Sequence, residues 1–169
     1  MRFSNKKQRG QRRRFQALAE RIHSIRDSAF ADSSCSYECF PVPSSPFIQA
    51  RKTDGKIKTA FCREWIRETE KIIERKPKAL DFCKVVCMLS LPNLWKSQII
   101  IFYSKEYYDS FVFRANGEQV WTLCDEDSLC ATRNIATNLP ECHYRETIFD
   151  ENEAFHSDLW FYGDIWNIQ

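Results

Sequence analysis

Apolar residues recur at helical spacing in two stretches of this chain and crowd into short β-branched or aromatic runs elsewhere. Phe15, Leu18, Ile22 and Ile25 form one stripe and predict a helix from about Gln8 to Ser28, packed on a sheet. Phe61, Trp65, Thr69, Ile72 and Ile73 predict a second helix from about Ile57 to Arg75, stopped by Pro77. Its other face carries Glu64, Arg67, Glu68, Glu70, Lys71 and Glu74, which reads as solvated and self-paired. Ser44–Ala50 reads as a helical turn or two, and Lys105–Arg114 as a short helix. The clearest strand is Ser97–Tyr103, a run of Ile and aromatics between polar residues, expected in the sheet interior. Ala79–Leu91 reads as its antiparallel neighbour, joined through a turn at Pro92-Asn93. Cys35–Val42, Gln119–Cys124, His143–Phe149 and Leu159–Trp166 complete the expected strands. The order of elements predicts an α+β fold: a mainly antiparallel sheet of about five or six strands, packed by two longer helices and one short one.

Length changes little in this picture. The chain of 169 residues fits a single domain, 1–169, in which residues 1–8 form a basic N-terminal segment free to be flexible. Composition narrows the chemistry. Glycine occurs 4 times, and neither GxGxxG nor GxxxxGK[ST] is present, so the common phosphate-cradling loops are excluded. Met1–Arg14 is basic with no apolar run after it, and Val85–Leu89 and Ile99–Tyr103 are too short to span a bilayer. The expectation is a cytoplasmic protein with no membrane partner and reduced thiols. The 8 cysteines contain no CxxC pair. Cys35–x3–Cys39 and Cys83–x3–Cys87 are the closest spacings, so buried hydrophobic thiols are expected rather than a zinc site, with no metal and no cofactor.

Charge adds an asymmetry that the net +2 conceals. Residues 1–30 hold nine Lys/Arg against Glu20 and Asp27, a balance of +7, whereas residues 117–169 hold eleven Asp/Glu against Arg133 and Arg145, a balance of −9. Lys6, Lys7, Arg9, Arg12, Arg13 and Arg14 sit where the first helix begins. Cations there oppose the helix dipole, so helix stability does not account for them. They can grip phosphates, or pair with the acidic half of the fold. At the other end, Asp125, Glu126, Asp127, Asp150, Glu151, Glu153, Asp158 and Asp164 surround an aromatic run containing Trp160, Tyr162 and Trp166. That run is apolar on both alternating faces. It suits a central strand buried on both sides, or an interface whose anchors are aromatic.

Three stretches carry a resemblance. They are Arg9-Gly10-Gln11-Arg12-Arg13-Arg14, then Leu91-Pro92-Asn93-Leu94-Trp95-Lys96-Ser97-Gln98-Ile99-Ile100-Ile101-Phe102, then Leu159-Trp160-Phe161-Tyr162-Gly163-Asp164. In order and spacing the chain resembles, over nearly its whole length, a bacterial family of domains of unknown function. The Leu-Pro-x-Leu-Trp-x-Ser-Gln-Ile stretch is the specific part. The resemblance implies no activity and no catalytic residue.

No catalytic set emerges from the residues themselves. His23, His143 and His156 are scattered, no GxSxG or HExxH stretch occurs, and no base is nominated for a cysteine nucleophile. The acidic clusters could hold Mg²⁺, but consecutive acids after a strand are more often a solvated loop. The expected function is therefore protein binding, by an immunity protein that neutralises a basic, nuclease-type toxin through the acidic and aromatic residues named above. The alternatives are nucleic-acid binding through the N-terminal cations, or a metal-dependent enzyme of unrecognised type.

Overall fold

The computed structural model describes residues 4–49, 55–91, 94–112, 139, 144–149 and 156–165, with the backbone alone at 4–8, 112, 144–149 and 156–158. In chain order the elements are α1 (Ser4–His23), α2 (Ile25–Ser28), β1 (Tyr37–Pro41), α3 (Pro46–Gln49), α4 (Gly55–Glu74), β2 (Lys84–Leu91), β3 (Gln98–Phe102), α5 (Lys105–Val112), β4 (Tyr144–Phe149) and β5 (His156–Gly163). The fold is a mixed one of helices and antiparallel sheet. Among the described residues one sheet runs in the order β1-β3-β2-β5-β4, and every neighbouring pair is antiparallel. The expected strand Gln119–Cys124 lies outside the described residues.

The β2–β3 hairpin is the centre of this sheet, with Val86 opposite Ile100 and Cys87 opposite Ile99. Its turn holds Leu94 and Lys96 at positive φ, +59° and +64°, a conformation non-glycine residues adopt at a cost of about 1–2 kcal/mol each. Two hydrogen bonds fix it. The Leu94 N–H donates to the Ser90 carbonyl (2.6 Å), and the buried Ser97 hydroxyl accepts from the Ser90 N–H (2.8 Å). The result turns Leu94 fully inward and leaves Trp95 59 % exposed.

Alternation along the strands divides the core in two. On one face Val85, Cys87, Leu89, Leu91, Ile99, Ile101 and Trp160 join Phe61, Cys62, Trp65 and Ile72 of α4. On the other face Val86, Met88, Ile100, Phe102, Leu159 and Phe161 meet Tyr108 of α5. Helix α4 is the layer that lies on the sheet, and α1 packs on α4 rather than chiefly on strands. Leu18, Ile22 and Ile25 still enter the first core, and Phe15 packs against it half-buried.

This arrangement corrects the reading of Glu68 as part of a solvated face: its side chain is fully buried. The physical reason is the end of the α1–α2 pair, which brings Arg26 Nε to 3.5 Å from the Glu68 carboxylate while Lys71 Nζ stands 3.3 Å away on the same helix. Arg75 also donates to the Arg26 carbonyl (3.2 Å), so the contact holds α2 against the C-terminal half of α4.

The last strand ends in a close approach. Gly163 has φ +104°, and a Cβ built on it would stand 2.5 Å from the Val85 carbonyl oxygen. A side chain there meets a clash with backbone and a disfavoured backbone angle together. Gly163→Ala is expected to lower stability on the order of 3 kcal/mol, read as a shift in the urea midpoint with unchanged slope. A shift below about 0.5 kcal/mol would show that the junction relaxes freely.

Candidate functional site

Helix α1 carries the candidate surface. Arg9, Arg12 and Arg13 are spaced at i, i+3 and i+4, so they share one face, opposite the buried Leu18 and Ile22. All three are exposed, and none forms an ion pair among the described residues. The cations therefore do not pair with acids of the described fold. The first turn of α1 contains no acidic residue to offset them. Arg14, also exposed, lies over the ring of Phe47 with its guanidinium carbon 5.9 Å from the centroid. Lys6 and Lys7 belong to the same helix, but their side chains lie outside the description.

Beside this face runs a groove of about 300 Å³ between α1, α3 and α4. Phe15, Phe47, Ile57 and Ala60 give it apolar walls, Gln11 contributes an amide, and Arg12 and Lys56 bring positive charge. Three separate elements build it. The apolar stripe of α1 ends toward Phe15, the turn of α3 inserts Phe47, and the first turns of α4 add Ile57 and Ala60. Arg12 belongs both to the groove and to the outward cationic face.

The acidic and aromatic set fares differently. Trp160, expected as an interface anchor, is 4 % exposed and part of the α4-side core. The reason is the position of β5 between β2 and β4, with layers on both faces. Tyr162 is half-buried on the same side, and its hydroxyl donates to Glu70 (2.6 Å). The Asp164 carboxylate accepts from Lys76 Nζ (2.7 Å) and from the Val85 N–H (2.7 Å), both contacts internal to the fold. Asp158 sits on β5 opposite Leu91, with only its backbone described. Asp125, Glu126, Asp127, Asp150, Glu151, Glu153 and Trp166 lie outside the described residues. The structure thus gathers Arg9, Arg12 and Arg13 onto one face, while Trp160, Tyr162 and Asp164 of the other set act within the fold. Among the described residues the exposed large aromatics are Trp95, Tyr37 and Tyr107, the last two with ring centroids 5.8 Å apart.

The thiols with described surroundings are split by burial. Cys62 and Cys87 are fully buried; desolvation pushes Cys87 up to about 12 and Cys62 higher still. Cys39 is exposed at the sheet edge. Among the described residues no group of three or more His, Cys, Asp or Glu could hold a metal ion, and no helix is long and apolar enough to cross a membrane.

Fold and surface together define an α+β domain with a cationic helix face on its outside that has no ion-pair partner among the described residues. A family model described as "Protein of unknown function (DUF3916)" matches residues 16–164, and the chain belongs to that family. The match covers the Leu91–Phe102 hairpin and the Leu159–Asp164 segment and begins just after the arginines of α1. No curated protein and no solved structure matches.

Two expected outcomes follow from burial. Trp160→Ala removes a core indole and should cost about 3–5 kcal/mol, whereas Trp95→Ala should change stability by less than about 0.5 kcal/mol; paired chemical denaturation curves distinguish them. Alkaline pH should also destabilise the fold. Burial raises Cys87 to about 12, and it raises Tyr108 and Tyr162 from the ordinary tyrosine value to about 12. The unfolded chain ionises its thiols from roughly pH 8.5 and its tyrosines near 10, so the stability held by keeping these groups neutral is whole below about pH 8.5 and declines from there toward 12. Unfolding midpoints measured between pH 7 and pH 10.5 check this, and a flat profile would contradict it.

Proposed function

We propose that this protein is a nucleic-acid-binding module that grips phosphates with the outward face of α1. One observation carries the reading: Arg9, Arg12 and Arg13 stand together on a helix face, exposed, without ion-pair partners among the described residues. Clustered like charges are costly to keep so close unless something neutralises them. The guanidinium fork matches phosphate oxygens two at a time, which makes arginine the side chain suited to this task. The excess of +7 over residues 1–30 supplies the long-range attraction that brings a polyanion to this face.

The expected antitoxin role, binding a basic nuclease-type toxin, is the second reading. It is favoured by the balance of −9 over residues 117–169, with exposed Trp95 now the better candidate for an aromatic anchor than Trp160. Co-purification with a basic toxin domain encoded beside it, and suppression of that toxin, would support this role instead.

For the phosphate reading, Arg9→Ala/Arg12→Ala/Arg13→Ala should weaken binding of a labelled 20-nucleotide single strand on the order of 10- to 100-fold at low salt. It should also reduce the slope of log K against log salt by about two, since fewer counterions are released. Fluorescence anisotropy over a salt series measures both, and circular dichroism should show the helix content retained. Absence of any binding by the unaltered protein at 50 mM salt, taken as roughly the low-salt limit, removes the proposal.

A further inference from the structure

The groove next to the arginines points to a more specific ligand. We infer that it is a seat for one unstacked nucleobase, so that the protein selects single-stranded over double-stranded nucleic acid; this rests on the phosphate-binding reading above. A phosphate backbone alone needs cations and has no use for an apolar cleft. A base has a flat apolar surface and a polar edge, and the groove offers both counterparts. Phe15, Phe47, Ile57 and Ala60 form the walls, and Gln11 supplies an amide able to donate and to accept. The volume of about 300 Å³ has room for one purine ring system with space left over. The positions of the charges fix the occupant's orientation. Arg12 faces both the groove and the cationic row, and Lys56 stands on the groove side of α4, so a nucleotide whose phosphate lies on Arg12 has its base at the groove mouth. Arg9 and Arg13, about one turn apart on the same face, then meet neighbouring phosphates of the same strand. A base in a duplex is stacked and paired, and extracting it costs energy that a single strand does not incur. Charge complementarity thus names the polyanion, and the apolar walls name the part of it that enters.

The experiment uses the full chain and four labelled probes in anisotropy titrations: a 20-nucleotide single strand, the matching duplex, an abasic strand with the same number of phosphates, and an acidic peptide containing leucine and phenylalanine. The single strand should bind on the order of 10-fold tighter than the duplex and the abasic strand. Ala60→Phe, which fills the groove, should bring single-strand affinity down to the duplex level, and Gln11→Ala should do so in part. Ultraviolet crosslinking of a thymine strand to the unaltered protein, followed by peptide mapping, should mark Phe15 or Phe47 and does not depend on either variant folding. Equal affinity for the single strand and the abasic strand overturns the base seat while leaving the phosphate reading standing. No binding to any nucleic-acid probe removes both. Preference for the acidic peptide overturns both in favour of a protein ligand.

Discussion

Four distant parts of the chain meet at Asp164. Its carboxylate accepts from Lys76, in the segment after α4, and from the backbone of Val85 in β2. Its own N–H donates to the Val85 carbonyl (2.8 Å), and its carbonyl accepts from the Tyr108 hydroxyl of α5 (2.5 Å). Gly163 makes this convergence possible, because only a residue without a side chain can stand so close to Val85. One aspartate thereby fixes the end of β5 against the start of β2, and ties the helix on each face of the sheet to the same point. Substituting any single partner would leave charged or polar groups short of a bond in a part-buried place, where desolvation is not recovered. The two cores depend on this corner for their register.

From the corner, order passes outward in layers. The sheet positions α4; α4 positions α1 and α2 through Trp65, Ile72 and the Glu68–Arg26 contact. Helix α1 is the outermost layer, so Arg9, Arg12 and Arg13 on its polar face meet solvent. The groove arises where the outermost layer stops being covered, beside Phe15. The ion pair of buried Glu68 with partly exposed Arg26 adds little net stability over a well-packed apolar pair, but it favours the angular setting of α2 on α4 that brings Arg26 to the carboxylate Lys71 also meets.

Much of this was readable from the sequence, and the exceptions have identifiable causes. Helix α4 and strand β3 were legible because their periodicities are strong and bounded by Pro77 and by polar residues. Strand β5 was legible as a strand, but a run apolar on both faces is compatible with a core or with an interface, and only the neighbours on each side decide. Glu68 falls on the polar side of its own helix by spacing; its burial is imposed by Arg26, from another element. In the β2–β3 turn, Leu94 and Trp95 are adjacent hydrophobes, and the left-handed backbone at Leu94 determines which goes inward. The arginine face was visible as a run of cations, but its lack of ion-pair partners among the described residues could be known only from the fold. The groove had no sequence signature, since Gln11, Phe47 and Lys56 come from three elements and share no motif.

Helix α1 has no acidic residue in its first turn, and Arg9, Arg12 and Arg13 stand close together on one exposed face. That part of the helix is held in its folded shape against its own electrostatics. Neutralising the arginines would relieve the repulsion among them, so charge compensation and helical order at this end of the molecule are thermodynamically linked. Salt alone, by screening the same repulsion, would draw on that linkage and favour the helical form around the arginines in concentrated electrolyte.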